Sequence, residues 1–177
     1  MHSSTGKPWF ERPVRGIGVN MWAPEWHPGS ITRFDAEKLA DAIVRARTTV
    51  GFTFQGFTQD RFGISFFPTE LGPRHKNLGH RDHIGAYVEA MHERDVRVFG
   101  CYSFPDRAVW EHNPDRRQRD PQDREITRGS WGALCPNSPY REHLIARVAE
   151  IATRYEIDGL LLDSVAFRGD PPGCYCR

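Results

Sequence analysis

The feature that most constrains the fold is a regular alternation of short apolar segments with longer amphipathic ones. Four segments have the composition of β-strands: GIGVNMW at 16–22, TTVGFTFQGF at 48–57, VRVFGCYSF at 96–104 and DGLLLDSV at 158–165. Between them lie patterns with helical spacing, over 33–47, 81–94 and 138–155. Because strands that alternate with helices pair in parallel through right-handed crossovers, this order predicts an α/β protein with a parallel sheet.

Two of the helical patterns carry start signals. Thr32 precedes the first, and Asp35 three residues later resembles a loose capping box. Ser138 and Pro139 open the third, where proline is expected at the first helical position.

The connections differ in length at the two ends of the predicted strands. Those that follow strands are long, notably 58–79 and 105–137, whereas the turns before strands are short. This asymmetry is typical of a (β/α)8 TIM barrel, whose active site lies at the carboxyl ends of the strands. A doubly wound sheet fits the same order, but no glycine-rich phosphate loop follows the first strand. Four strands and three helices therefore predict the N-terminal half of a barrel over 15–177, after an extension at 1–14.

Charge and hydrophobicity exclude several classes of protein. The 24 basic and 23 acidic side chains leave a net charge of +1, which gives no electrostatic reason to expect nucleic acid or an anionic membrane as partner. No apolar run reaches the ~18 residues of a spanning helix, and residues 1–16 lack the apolar stretch of a secretory signal. We therefore expect a cytoplasmic protein whose four cysteines are thiols or metal ligands.

Asp163 is the sharpest candidate for chemistry. It ends the apolar run GLLLD, at the end of the strand where barrel enzymes keep their catalytic groups. A carboxylate there is costly to desolvate unless it is paired or functional, and glycoside hydrolysis uses such carboxylates in pairs. The alternative is a cap at a strand end. Asp158 opens the same strand and is more typical of a turn residue.

The cysteines form the second candidate site. Cys174 and Cys176 make a C-x-C pair, and Cys135 lies in another predicted loop. Thiolates from two loops can share a tetrahedral zinc, or the thiols can themselves be the functional centre of a small redox protein. Cys101 lies inside the third strand and is expected to be a packed core thiol.

Aromatic residues in the predicted rim loops form the third candidate group. Sugar rings stack on aromatic faces, so the carbohydrate contacts would include Trp22, Phe67, Trp110 and Trp131. The alternative is that these rings cap the barrel core.

Several motifs together resemble a known family. Five segments, in their order along the chain, resemble the hypothetical glycosyl hydrolase 6 family, which is related to alpha-L-fucosidase and amylase-like barrels. The segments are FGISFFPTELGPRH, HERDVRVFGCYSF, CPNSPYRE, YEIDGLLLDSVAF and GCYC. The resemblance covers roughly 15–177. CPNSPYRE and CYC also resemble the cysteine motifs of glycoside hydrolase family 42 beta-galactosidases. The resemblance implies a glycoside hydrolase that acts on carbohydrate through a carboxylate pair.

The resemblance also implies roles for single residues. Asp163 matches the strand-four nucleophile of the fucosidase-like barrels, whereas the Asn-Glu pair of family 42 is replaced here by Asp163-Ser164. Asp60 stands where related barrels often carry a Lys-Asp or His-Asp pair, which makes it a candidate substrate contact. The motif cysteines would be ligands of a structural zinc that catalysis does not require: Cys135, Cys174 and Cys176.

Both the cysteine motif and the set of barrel strands are expected to be incomplete in this sequence. The fourth zinc ligand would fall at position 179, and four further strands would follow. We therefore expect a truncated N-terminal fragment that is inactive alone, marginally stable and able to pair with a second copy. The alternatives are a non-catalytic carbohydrate-binding barrel and a small zinc or thiol protein.

Overall fold

A computed structural model describes residues 8–19, 23, 25–53, 58–59, 63–104, 106–128, 131–164, 167 and 174–176. The strands, in chain order, are β1 (Gly16–Gly18), β2 (Val50–Thr53), β3 (Thr58–Gln59), β4 (Ile64–Ser65), β5 (Arg97–Ser103), β6 (Thr127–Arg128), β7 (Trp131–Gly132) and β8 (Gly159–Asp163). The α-helices are α1 (Ala36–Arg45), α2 (His83–His92), α3 (Arg107–His112) and α4 (Tyr140–Arg154). Among the described residues, no helix is both long enough and apolar enough to cross a bilayer.

The centre of the fold is a four-stranded sheet in the order β1-β2-β5-β8. Every neighbouring pair is parallel, and the last pair runs in register from Phe99 beside Gly159 to Ser103 beside Asp163. Strands β3 with β4, and β6 with β7, form two short antiparallel hairpins in the long connections after β2 and β5. The four predicted parallel strands are confirmed, and the arrangement is that of a partial TIM-barrel-like fold.

The long helices cover one face of the sheet. The core on this side contains Ala40 and Ile43 of α1, most of the apolar side of α2, and Ile151 of α4. These side chains pack against Val98 and Tyr102 of β5, with Leu160 of β8 at the margin. The burial of this apolar set fixes the helices to the sheet.

The opposite face of the sheet, here called the inner face, bears Phe99, Cys101, Ser103, Leu161 and Asp163. This assignment follows because successive side chains of a strand point to opposite faces, and Val98, Tyr102 and Leu160 face the helices. The ring of Trp9 meets the ring of Phe99 edge-on, with 5.5 Å between centroids. Trp9, which lies before position 15, therefore packs against the sheet.

An aspartate caps the amino end of three of the helices. Asp35 accepts the Lys38 N–H at 3.1 Å, Asp82 accepts the Gly85 N–H at 2.8 Å, and Asp106 accepts the Val109 N–H at 3.0 Å. These bonds satisfy amide groups that have no partner within the helix. The first helix therefore begins after Asp35 rather than at position 33, and Pro139 precedes the first residue of α4 instead of being that residue.

A buried arginine joins α4 to the loop after β4. The side chain of Arg147 is fully buried, and its guanidinium donates to Thr69 Oγ1 at 3.0 Å and to Ser65 Oγ at 2.7 Å. Thr69 Oγ1 in turn donates to Glu150 Oε2 at 2.5 Å. The guanidinium also lies 5.8 Å from the ring centroid of Phe67. This network fixes the loop that leads from β4 towards α2.

Asp158, which the sequence predicts to be a turn residue, holds the amino end of β8. Its carboxylate accepts the Val98 N–H at 2.9 Å, His92 Nε2 at 3.0 Å and Arg97 Nη1 at 2.9 Å. Burial opposes its ionisation, but the Val98, His92 and Arg97 donors outweigh burial and hold its pKa below the ordinary value of 3.8. The ionised carboxylate is therefore a stabilising group of the folded chain.

Replacing Asp158 by asparagine is expected to lower the free energy of unfolding by about 2 kcal/mol at neutral pH, since it weakens charge-assisted hydrogen bonds. A depressed folded pKa stabilises the fold above the unfolded pKa, and this stabilisation is lost as the pH falls through the folded pKa, below 3.8. The difference between wild type and D158N should therefore shrink in acid. Urea unfolding at pH 7 and pH 3 measures it. If D158N lowers the free energy of unfolding equally at both pH values, the ionised Asp158 carboxylate is not the stabilising group.

Candidate functional site

Asp163 lies at the carboxyl end of β8, on the inner face of the sheet. It is half-buried, and its backbone carbonyl accepts the Phe104 N–H at 3.0 Å. This bond continues the β5–β8 ladder to the last residue of the strand, so the sheet sets the position of the Asp163 backbone. Asp163 is thus where the sequence places it, at a strand end on the face that the helices leave open.

Ser103 is the residue in register with Asp163, and sequence reasoning missed it. Its side chain is 1% exposed, and its hydroxyl has no hydrogen-bond partner in the described part of the chain. A buried hydroxyl without a partner is costly unless a ligand or water satisfies it. The signal was available, because Ser103 is the last residue of a strand that must pair with the one ending at Asp163.

Three cysteine side chains meet in the loops after β5 and β8. The sulfur atoms of Cys135, Cys174 and Cys176 all lie within 4.8 Å of one another, and Cys135 Sγ is 3.3 Å from Cys176 Sγ. Cys101 is buried within β5, as the sequence predicts, and is not part of this group. The cysteines that the sequence proposes as ligands are therefore brought together by the fold.

The cysteine cluster, meaning Cys135, Cys174 and Cys176, joins two segments of chain. The Cys135 N–H donates to the Arg116 carbonyl at 2.8 Å, and the Tyr175 N–H donates to the Arg119 carbonyl at 2.9 Å. Residues 174–176 are thus attached to the loop between α3 and α4. Both segments follow strands of the parallel sheet, at the same end as Asp163.

The three thiols differ in acidity. Burial opposes the ionisation of Cys174, but hydrogen bonds from Cys176 and from the Arg119 and Cys176 backbone N–H groups lower its pKa overall. Burial raises the pKa of Cys135. Burial, with hydrogen bonds to Cys174 and Cys135, raises the pKa of Cys176 to about 12. The protein itself therefore stabilises one thiolate, and a cation would be needed to hold all three sulfurs as thiolates.

The donor set fits a zinc ion. Sulfur ligands at about 2.3 Å in a tetrahedron lie about 3.8 Å from one another, which is compatible with the grouping of the three sulfur atoms. Three thiolates leave one position of the tetrahedron for a fourth ligand. Such a centre links loops and does no redox chemistry.

The predicted carbohydrate contacts are dispersed. Phe67 is fully buried in the core, where its ring meets Tyr155 edge-on at 5.9 Å. Trp110 lies on α3 beside the buried group of Phe104, Leu134 and Tyr140. Its ring lies under the Arg117 guanidinium, 4.2 Å from the centroid. The described contacts of these two residues are with protein, and their binding role stays a prediction.

The other predicted contacts lie partly or wholly outside the described residues. Trp22 and Asp60 fall outside them, and for Trp131 only the backbone, in β7, is described. The structure therefore brings the three cysteines together and places Asp163 at the same end of the sheet.

A parallel sheet with helices on one face, and a carboxylate at the carboxyl end of a strand on the other, is the arrangement of part of a TIM-barrel-like fold. The chain belongs to the family described as hypothetical glycosyl hydrolase 6, whose model matches residues 35–164, well over half of the sequence. The prediction of a glycosyl hydrolase-like family is thereby confirmed.

The known proteins that this chain resembles include two that act on sugars. The chain is 29% identical to the 1,4-alpha-glucan branching enzyme GlgB 2 of Xanthomonas oryzae pv. oryzae, over 80% of this chain and 22% of the enzyme. It resembles the structure of alpha-L-fucosidase isoenzyme 2 from Paenibacillus thiaminolyticus with a TM-score of 0.75 and 25% identity, over 93% of this chain and 25% of that one. The chain thus spans about a quarter or less of these relatives.

A hypothetical protein from Ruminiclostridium thermocellum is matched over a larger share of its own length. Its TM-score is 0.61 at 14% identity, and the match covers 87% of this chain and 78% of that protein. At this identity the likeness concerns the fold alone.

Proposed function

We propose that this chain supplies a catalytic carboxylate, Asp163, to a glycoside hydrolase active site. The observation that carries the proposal is the position of Asp163, at the carboxyl end of its strand and on the face of the parallel sheet opposite the helices. In the retaining reaction its carboxylate attacks the anomeric carbon, and the bond to the leaving oxygen breaks as a second carboxylic acid protonates that oxygen. Water then releases the sugar and restores the carboxylate. The second carboxyl group is left unassigned.

The substrate class we propose is α-L-fucosides. The support is the similarity to alpha-L-fucosidase isoenzyme 2, which extends over 93% of this chain. The similarity to a branching enzyme points instead to α-glucans, but it comes with a smaller share of the chain, 80%. Both are proteins that act on sugars, so the coarser assignment to glycosides does not depend on this choice.

Sugar contacts are proposed for the residues that the sequence suggested. Trp22, Asp60 and Trp131 would line the substrate site. The described contacts of Phe67 and Trp110 are with core and loop groups. These two residues would therefore support the walls of the substrate site.

Covalent trapping tests the proposal directly. The polypeptide is incubated with 2-fluoro-fucosyl fluoride, which forms a slowly hydrolysed ester with a catalytic carboxylate, and peptides are mapped by mass spectrometry. One sugar per chain on the peptide that contains Asp163 is expected, and none in D163N. A label on another carboxylate would overturn the assignment of Asp163. Fucose binding without a covalent adduct would instead favour a carbohydrate-binding barrel.

We also propose that the cysteine cluster holds a structural zinc ion. Cys135 would anchor the metal from the loop before α4, and Cys174 and Cys176 would bind it from the segment after β8. The support is the convergence of three sulfur atoms, all within 4.8 Å of one another, from two loops. Zinc here would cross-link the loops and take no part in the reaction.

The zinc proposal predicts one zinc ion per chain when the protein is purified without chelator. Cys176→Ser is expected to lower the zinc content at least tenfold, because it removes one of three charged ligands. Cys101→Ala is the matched control and should retain the metal, since Cys101 lies in β5 away from the cluster. Elemental analysis measures the content. Retention of zinc by Cys176→Ser, or its absence from wild type, would contradict the proposal.

A further inference from the structure

Two sulfur atoms of the cysteine cluster lie closer together than shared zinc ligation requires. Cys135 Sγ is 3.3 Å from Cys176 Sγ, and both residues are free cysteines. Sulfur ligands of one tetrahedral zinc stand about 3.8 Å apart, whereas the sulfur atoms of a disulfide are about 2.05 Å apart. A movement of roughly 1.3 Å would therefore bring this pair to bonding distance.

The backbone holds the two cysteine segments together without any bond between their sulfur atoms. The Cys135 N–H donates to the Arg116 carbonyl at 2.8 Å, and the Tyr175 N–H donates to the Arg119 carbonyl at 2.9 Å. The Arg119 N–H also donates to Cys174 Sγ at 3.3 Å. Because both segments are attached to the same stretch of loop, a reaction between their thiols is intramolecular and needs no encounter.

The cluster is accessible from one side. Cys174 and Cys176 are partly exposed, whereas Cys135 is buried. Cys176 lines a cavity of about 620 Å³ whose wall also contains Arg117 and Arg119. A small oxidant can therefore reach the C-x-C pair, and the buried sulfur of Cys135 is placed to react with the oxidised product.

We propose that the cysteine cluster is a site of oxidative modification, at which hydrogen peroxide drives a disulfide between Cys135 and the C-x-C pair. A sulfur of the pair attacks one peroxide oxygen, the O–O bond breaks and water leaves, which gives a sulfenic acid. The Cys135 sulfur then attacks the sulfenic sulfur, the S–O bond breaks and a second water leaves. Two thiols thus give two electrons and two protons to the peroxide and become one disulfide.

A bridge within the C-x-C pair is the competing product. Cys174 and Cys176 are two positions apart, so their bridge would have to close within a three-residue ring, which leaves little freedom to reach disulfide geometry. Cys135 lies about 40 positions earlier in the chain and already contacts Cys176. The bridge to Cys135 is therefore the one that the positions of the sulfur atoms favour.

The disulfide and a zinc ion would be alternative states of the same sulfur atoms. A thiolate binds metal through its charge, and a sulfur in a disulfide has lost that charge. Both states join the loop before α4 to the segment after β8. Oxidation would therefore release the metal and keep the two segments cross-linked.

Peptide mapping tests the proposal. The polypeptide that carries this sequence is purified without chelator, treated with a few equivalents of hydrogen peroxide, alkylated, and digested with trypsin in the absence of reductant. Peptide 129–141, which contains Cys135, should be joined to peptide 169–177, which contains Cys174 and Cys176. Dithiothreitol should separate the two peptides, and the intact chain should have lost two hydrogen atoms.

Variants locate the bond. Cys135→Ser should abolish the link, as should the double replacement of Cys174 and Cys176 by serine at partly exposed positions. Cys101→Ala is the matched control and should keep it, because Cys101 is not part of the cluster. A bridge confined to 169–177, a bridge to Cys101, or no disulfide in wild type would overturn the proposal. Neither sugar hydrolysis nor metal content is read, so this failure is separate from failure of the proposed function.

Discussion

Arg147→Ala is expected to lower the free energy of unfolding by about 3–4 kcal/mol. The substitution empties a fully buried site and removes the donors that Ser65 Oγ and Thr69 Oγ1 accept from. It also releases the loop after β4 from α4, so the loss should be accompanied by faster proteolysis of that loop. Denaturant unfolding of the purified chain measures the change.

Two further variants separate the effect of the buried hydrogen bonds from that of removing any arginine of α4. Arg141→Ala is the matched control on the same helix, where the arginine is exposed and pairs with its neighbour Glu142, and it should cost under about 0.5 kcal/mol. Arg147→Met keeps most of the volume and loses the charge, so its cost isolates the hydrogen bonds. If Arg147→Ala costs no more than Arg141→Ala, the network does not stabilise the loop.

Asp163→Asn is expected to reduce turnover of an aryl α-L-fucoside by about a thousandfold or more, with a small change in KM. The amide keeps the shape of the side chain but is a poor nucleophile. Because the expected loss is in kcat, the sugar should still bind. Steady-state kinetics of the active polypeptide that carries this sequence measure both constants.

The matched control for that variant is Asp95→Asn. Asp95 is exposed and has a φ of 54°, a conformation that asparagine adopts readily. It should leave kcat and KM unchanged. Azide offers a second check, since a small anionic nucleophile should restore turnover to Asp163→Gly if the carboxylate attacks the sugar. Turnover of D163N close to wild type would show that the nucleophile is elsewhere.

The sequence predicted the sheet well because its signal is strong and local. Each parallel strand is a compact apolar run, so β5 and β8 lie within one or two residues of their predicted bounds. The six-residue helix α3 was missed, since two turns are too few for a periodic pattern. Its signal was Asp106, whose carboxylate caps the helix through Val109.

The candidate site was less predictable because it depends on contacts between distant segments. Cys135 and Cys176 could be paired from a motif, and their sulfur atoms do meet. For Phe67, however, a loop position near the rim suggested a sugar contact; the structure buries the ring in the core, and the sugar contact stays a prediction. Aromatic side chains serve both purposes, and only the packing of the whole loop distinguishes them.

The edge-on contact between Trp9 and Phe99 has a practical consequence for anyone who expresses this protein. An expression boundary placed at position 15, where the apolar strand pattern begins, would delete the indole that packs against Phe99 on the inner face. Such a shortened protein should bind hydrophobic dyes and precipitate more readily than one that starts before position 8.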